Sequence, residues 1–292
     1  MSYISLLQTA KRNSYAVGAF NFHNLEVLQG IIAAAEEMSA PVIVQTTPPY
    51  IKDIGLKTIA AVAKEIIAES SVPVALHLDH SNSFELVQKC LVSGFTSVMI
   101  DGSKLPFAQN IKLTKKVVEI TKAVEEGIGV EAELGSIGGV EDQFLDGGSG
   151  DIIDPEEAVK FVEETGIDAL APAIGTAHGI YKSEPQIRFD VAQELNRIIT
   201  IPLVLHGGSG LDERTFQKLI RLGFSKVNVG TELKIAWYKA LENSFQNGRT
   251  DPLAANAEAK KAVKEAVINK IKIFGSEGKA GDFLISKHKI SV

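Results

Sequence analysis

Leu203-Val204-Leu205-His206-Gly207-Gly208-Ser209-Gly210 reads as a short apolar strand running into a glycine-rich turn. A helix-type pattern follows at 213–222, then a second apolar strand at 226–229. Near-continuous apolar strands joined through a helix are the signature of parallel strands buried on both faces. Working outward, the same unit recurs. Strands are predicted at 17–21, 42–46, 74–79, 97–101, 129–133 and 169–173, with helices at 25–38, 56–69, 84–92, 110–124 and 155–164. Strand starts are about 30 residues apart, the length of one βα unit. Eight such units in 292 residues predict an α/β protein with a (β/α)8 barrel (TIM barrel). No G-x-G-x-x-G follows a strand, which weakens a dinucleotide-binding fold.

Beyond the eighth strand come a helix at 232–245 and an amphipathic one at 252–274, with Gly275 as its stop signal. No linker-like composition shift appears. One barrel domain over 1–292, with a C-terminal helical extension at about 252–275, is expected. Residues from 278 onward carry no clear signal and read as a tail or an oligomer contact.

Composition narrows the function classes. The chain is 45% hydrophobic and has a net charge of −6. It shows no Lys/Arg stripe interleaved with aromatics, so a nucleic-acid partner is not expected. No apolar run is long enough to span a bilayer. The start, Met1-Ser2-Tyr3-Ile4, lacks the pattern of a signal peptide, and a cytoplasmic location is expected. The single Cys90 excludes an internal disulfide and a cysteine-rich zinc framework.

In a barrel, chemistry sits at the C-terminal ends of the strands. His80 closes the third strand, His178 follows the sixth and His206 ends the seventh. Three imidazoles converging there would form a three-ligand zinc site with an open position, the catalytic type; the bland alternative is three unrelated loop histidines. Asp79, beside His80, is either a general acid/base or an orienting partner, with a helix cap as the plain alternative. His77 is read as a hydrogen-bonded barrel residue rather than a ligand. His206-Gly207-Gly208-Ser209-Gly210 offers backbone N–H groups to an anion, and Asn228-Val229-Gly230-Thr231 ends the eighth strand. Loops after strands seven and eight are the usual phosphate site of such barrels. Glu131 and Glu133 share one face, so they should meet a cation or a Lys or Arg side chain. Glu141 lies in a glycine-flanked loop, either as a base swinging over the site or facing solvent.

Seven motifs in order now resemble the class II, zinc-dependent ketose-bisphosphate aldolases, most closely the tagatose-bisphosphate aldolase branch. They run through His77-Leu78-Asp79-His80, 97–101, 105–111, 130–135, 173–179, 206–210 and 227–233, and similarity begins at Ala19-Phe20-Asn21-Phe22-His23. The resemblance implies Zn²⁺ on His80, His178 and His206, with Glu133 as an alternative ligand. It implies Asp79 as the acid/base at the bond made or broken, and Glu141 as the loop carboxylate exchanging a proton with dihydroxyacetone phosphate. Asn21, Thr47, Gly179, Gly207, Gly208, Ser209, Asn228, Val229, Gly230 and Thr231 would bind the phosphate and ketose oxygens. A monovalent cation, Na⁺ or K⁺, often accompanies that loop in the family, whose members form homodimers and homotetramers.

The implied reaction cleaves a tagatose- or fructose-type ketose 1,6-bisphosphate, or a ketose 1-phosphate, to dihydroxyacetone phosphate and an aldehyde. A Lewis acid on the ketose oxygens would stabilise the resulting enediolate. The lysine Schiff-base alternative lacks a lysine at the end of strand six. Three departures stand out. Ser81 follows Asp79-His80 where many members carry glycine, in a loop that varies within the branch. Thr47 replaces a serine of some members and keeps a hydroxyl. The serious one is Leu253, which stands where the family carries an arginine for the distal phosphate. Either Arg249, two residues away, substitutes, or the second substrate half lacks a phosphate or carries a different anion. A non-catalytic phosphosugar-binding barrel is the competing reading. A zinc hydrolase is weaker, because His77/His80 has the wrong spacing for a His-x-His pair.

Overall fold

The computed structural model describes residues 2–139, 150–179, 181 and 185–284. The chain opens with α1 (Tyr3–Arg12), β1 (Val17–Asn21), α2 (Leu25–Glu37), β2 (Val42–Thr46), α3 (Pro48–Ile54), α4 (Leu56–Glu69) and β3 (Val74–Ser81). It continues with α5 (Phe84–Val92), β4 (Ser97–Ile100), α6 (Phe107–Val124), β5 (Gly129–Leu134), α7 (Pro155–Thr165) and β6 (Ala169–Pro172). Last come α8 (Phe189–Ile198), β7 (Leu203–Leu205), α9 (Glu213–Arg221), β8 (Phe224–Val229), α10 (Thr231–Gln246), α11 (Pro252–Phe274) and α12 (Gly281–Leu284). The strands close a parallel barrel in chain order, with β1 paired to both β2 and β8. This is the expected (β/α)8 barrel with a C-terminal helix.

Alternation along the strands separates two cores. Val44, Leu76, Leu78, Val98, Ile100 and Val130 pack outward against the helices. Ala19, Ile43, Ala75, Ala169, Ala171 and Val204 face inward. Branched residues commonly fill such an interior. Here four of those positions are alanine, and the room is taken by Tyr3, Leu6 and Leu7 of α1. The helix closes the end where the strands begin. Ser2 Oγ donates to the Gly127 carbonyl, just before β5, and Lys11 Nζ to the carbonyls of Ile199, Thr200 and Ile201, just before β7. Gly129 is needed there, since a Cβ would lie 2.3 Å from the Tyr3 ring.

Three differences from the sequence reading have local causes. The plug helix α1 was not anticipated, although Tyr3, Leu6, Leu7 and Ala10 have helical spacing and are buried. The same holds for α8, which buries Val191, Ala192 and Leu195. The segment from Gly278 is no free tail up to Leu284. Gly278 N donates to Met38 O and Ala280 N to Ser39 O, and Phe283 is buried. Gly275 ends α11 in the left-handed conformation, as its position suggested.

Candidate metal centre and active site

Strict alternation along β3 would turn His77, Asp79 and Ser81 inward and His80 out toward the helices. The register between β3 and β4 slips between Leu78 and Ser81, and His80 has φ +49°. Such a bulge re-aims one side chain. The His80 ring thereby enters the barrel mouth, with Nε2 2.8 Å from His206 Nδ1. His178 arrives from the loop after β6, its N–H bonded to the Gly138 carbonyl at 2.8 Å. Its ring centroid lies 4.9 Å from that of His80 and 5.9 Å from that of His206. One nitrogen from each of the three rings lies within 4.8 Å of the others.

Glycine allows this approach. Gly207 has φ +66°, and a Cβ there would lie 2.5 Å from the Ala177 carbonyl oxygen. Only a residue without a side chain lets the loops after β6 and β7 meet and set His178 beside His206. Tyr181 braces the junction: its hydroxyl donates to the Gly207 carbonyl at 2.7 Å and accepts from Ala177 N at 2.9 Å.

Behind His206 lies a buried polar hub. His206 Nε2 is 2.7 Å from Glu131 Oε1, while Lys226 Nζ and the Tyr3 hydroxyl donate to Glu131 Oε2 at 2.8 and 2.5 Å. Burial raises the Glu131 carboxyl pKa, but Lys226, then His206 and His77, outweigh it and hold it well below the usual range. Burial also lowers the pKa of both His206 and His178, which favours neutral imidazole. His77 is fully buried, with Nδ1 2.8 Å from Ser97 Oγ and its ring stacked on Tyr3.

Asp79 is fully buried within β3. Asn21 Nδ2 and Gln45 Nε2 donate to its Oδ2 at 2.8 and 3.1 Å, and Asn228 Nδ2 to its Oδ1 at 3.2 Å. It is no helix cap; Ser83 caps α5. Gln45 and Asp101 escaped the sequence reading. Both occupy or follow the last turns of strands, which is the signal that marks them. Asp101 Oδ2 lies 3.4 Å from His80 Nδ1. Burial raises its pKa, but hydrogen bonds from His80 and Ser103 more than reverse that. Glu133 Oε2 is 3.8 Å from the same nitrogen. Burial, reinforced by the Asp101 charge, pushes Glu133 up to about 8.

These residues open into a cavity of about 490 Å³ lined by Thr47, Asn82, Ser103, Lys104, Ser136 and Ile137, with His80 and His178 in its wall. On the other side, Gly207, Gly208 and Ser209 are buried beside the end of β8. Asn228 Oδ1 there is buried without a hydrogen-bond partner, and Gly230 precedes the start of α10 with no side-chain cap. Gly179 follows His178 and is buried. Arg249 lies elsewhere, in a separate groove between α10 and α11, 3.5 Å from Glu258. Leu253 is 78% exposed. Glu141 lies outside the described residues.

The residues present fit a divalent ion. His178 Nε2 and Glu133 Oε2 are buried without a hydrogen-bond partner, which is costly unless something else meets them. The outer nitrogens of His80 and His206 face carboxylates, the arrangement that orients metal-bound imidazole. His80, Asp101 and Glu133 form a second candidate ligand group sharing one histidine with the first.

A parallel barrel with three imidazoles within reach of one ion at its mouth is the frame of a metal-assisted barrel enzyme. The family model of class II fructose-bisphosphate aldolases matches residues 1–279, and the chain belongs to that family. It is accordingly a lyase of the zinc-dependent aldolase type. Among solved structures, the YdjI aldolase from Escherichia coli K12 is 37% identical, over 95% of this chain and 98% of its own, with a TM-score of 0.85. A candidate fructose-1,6-bisphosphate aldolase from Coccidioides immitis is 32% identical over 97% and 99%, with a TM-score of 0.88. The Campylobacter jejuni fructose-bisphosphate aldolase, 19% identical over 94% of each chain at a TM-score of 0.79, shares the fold.

Proposed function

We propose that this protein reversibly cleaves a ketose 1-phosphate or ketose 1,6-bisphosphate, of tagatose or fructose type, to dihydroxyacetone phosphate and an aldehyde. The carrying observation is the convergence of His80, His178 and His206 beside Asp79 at the barrel mouth. These three histidines would hold Zn²⁺, with Glu133 as an alternative ligand. When bound, the ion supplies Lewis acidity toward the ketose carbonyl and hydroxyl oxygens.

The chain's own residues do the rest. Asp79, set by three amides, takes the proton from the C4 hydroxyl as the C3–C4 bond breaks and returns it in condensation. Asn228 and Asn21 also belong to the floor on which the ketose oxygens lie. Backbone N–H groups of Gly207, Gly208 and Ser209, and of the segment from Val229 to Thr231, bind the C1 phosphate, aided by the start of α10. Gly179 joins these phosphate loops, while Thr47 lines the cavity of about 490 Å³ beside His80 and His178. Glu141 exchanges the proton on the dihydroxyacetone phosphate carbon. A monovalent cation beside the phosphate loop, a homodimer or homotetramer, and a cytoplasmic location complete the reading. Among the described residues no helix is long and apolar enough to cross a membrane.

The test is release of dihydroxyacetone phosphate in a coupled assay across tagatose and fructose bisphosphates and their 1-phosphates. Chelation with EDTA is expected to abolish it and zinc to restore it, while His206→Ala loses bound metal. Full activity in verified metal-free protein would overturn the proposal.

A further inference from the structure

We propose that Lys104, on the loop after β4, binds an anionic group at the far end of the substrate, the end released as aldehyde. The substrate class is thereby a ketose 1-phosphate whose other terminus carries a carboxylate or a second phosphate. This rests on the aldolase reading above and adds the distal half to it.

The closed strand order carries the argument. In an eight-stranded ring, β7 and β8 stand across the mouth from β3 and β4. A sugar with its C1 phosphate at the loops after β7 and β8 passes the three histidines and extends toward the loops after β3 and β4. The cavity of about 490 Å³ lies on that side. Its described lining offers Thr47, Asn82 and Ser103 to hydroxyl groups, and Lys104 as its one lysine or arginine.

Other cations near the barrel are engaged. Lys226 is bonded to Glu131, Lys270 to Glu232 at 2.8 Å, and Arg249 to Glu258. Lys104 makes no ion pair among the described residues, and its neighbour Asp101 is taken by Ser103 and His80. An ammonium is a compact point charge on a flexible stem, equally suited to carboxylate and phosphate. A merely solvated surface lysine would not distinguish substrates by terminal charge, so the two readings part experimentally.

The experiment uses zinc-loaded wild type, Lys104→Met and Lys104→Arg. Substrates are matched ketose 1-phosphates ending in phosphate, carboxylate or hydroxymethyl. Lys104 is exposed, so substitution leaves the core intact. We expect wild type to favour an anionic terminus. Lys104→Met should raise KM for the anionic substrates about 10- to 100-fold more than for the hydroxymethyl one, with Lys104→Arg recovering most of the loss. The better of the two anionic substrates identifies the terminal group. Equal effects on all three substrates, or no preference by wild type, would overturn the inference while leaving the aldolase reading standing. Release of dihydroxyacetone phosphate from none of them would overturn the aldolase reading and this inference together.

Discussion

Glu133 shows how one side chain can register its surroundings. Its carboxyl is buried beside Asp101, so the neutral form is favoured up to about pH 8, against an ordinary value of 4.5. In metal-free protein the folded state therefore binds a proton that the unfolded state has released. That contribution to stability is fully present below about 4.5 and is lost as pH climbs through about 8. Glu133→Gln mimics the neutral form at every pH. Urea unfolding of both metal-free proteins is expected to give similar stability near pH 5. At pH 9 the variant should be more stable, by on the order of a few kcal/mol. A difference that does not grow with pH would mean that this carboxyl is not held protonated. Zinc at the site would favour the carboxylate instead and flatten the effect.

At the scale of elements, three of them meet on one carboxylate. Tyr3 of α1, Lys226 of β8 and His206 after β7 all bond Glu131 of β5. The plug helix thus reaches the candidate metal centre through two hydrogen bonds. Glu131→Gln is expected to weaken zinc binding about 10- to 100-fold, the usual effect of losing a carboxylate behind a ligand histidine. Tyr3→Phe should act in the same direction with smaller size. Because Glu131→Gln leaves Lys226 buried and unpaired, the pair Glu131→Gln/Lys226→Met keeps the comparison interpretable. Competition against a chromogenic chelator measures this directly. Unchanged zinc affinity in all three would show that β7 alone positions His206.

For the whole molecule, closure of the barrel floor depends on α1. Tyr3, Leu6 and Leu7 are at most 1% exposed. Burying side chains of this size contributes about 1.5–3 kcal/mol each, a sum comparable to the roughly 5–15 kcal/mol that holds a typical protein folded. A chain starting at Asn13 would expose the alanine-lined interior. It is expected to be insoluble or to lose cooperative thermal unfolding. A melting temperature within about 2 °C of the full chain would contradict this.

Much of this architecture was legible without coordinates. Apolar strands every 30 residues or so, with helices between them, have few ways to bury both faces of a parallel sheet, so the closed barrel followed from periodicity. The histidines, Asp79 and the glycine-rich loop announced themselves because strand ends are where a barrel keeps its polar groups. What alternation misplaces is His80. Its inward turn comes from a one-residue slip against β4 and a left-handed backbone, and register is a property of two strands rather than of either one. The Asp101 and Glu131 contacts, the α1 plug and the placement of Arg249 outside the mouth are likewise decided by packing. They join residues more than twenty positions apart, or hold them away from each other, and no local pattern encodes such distances.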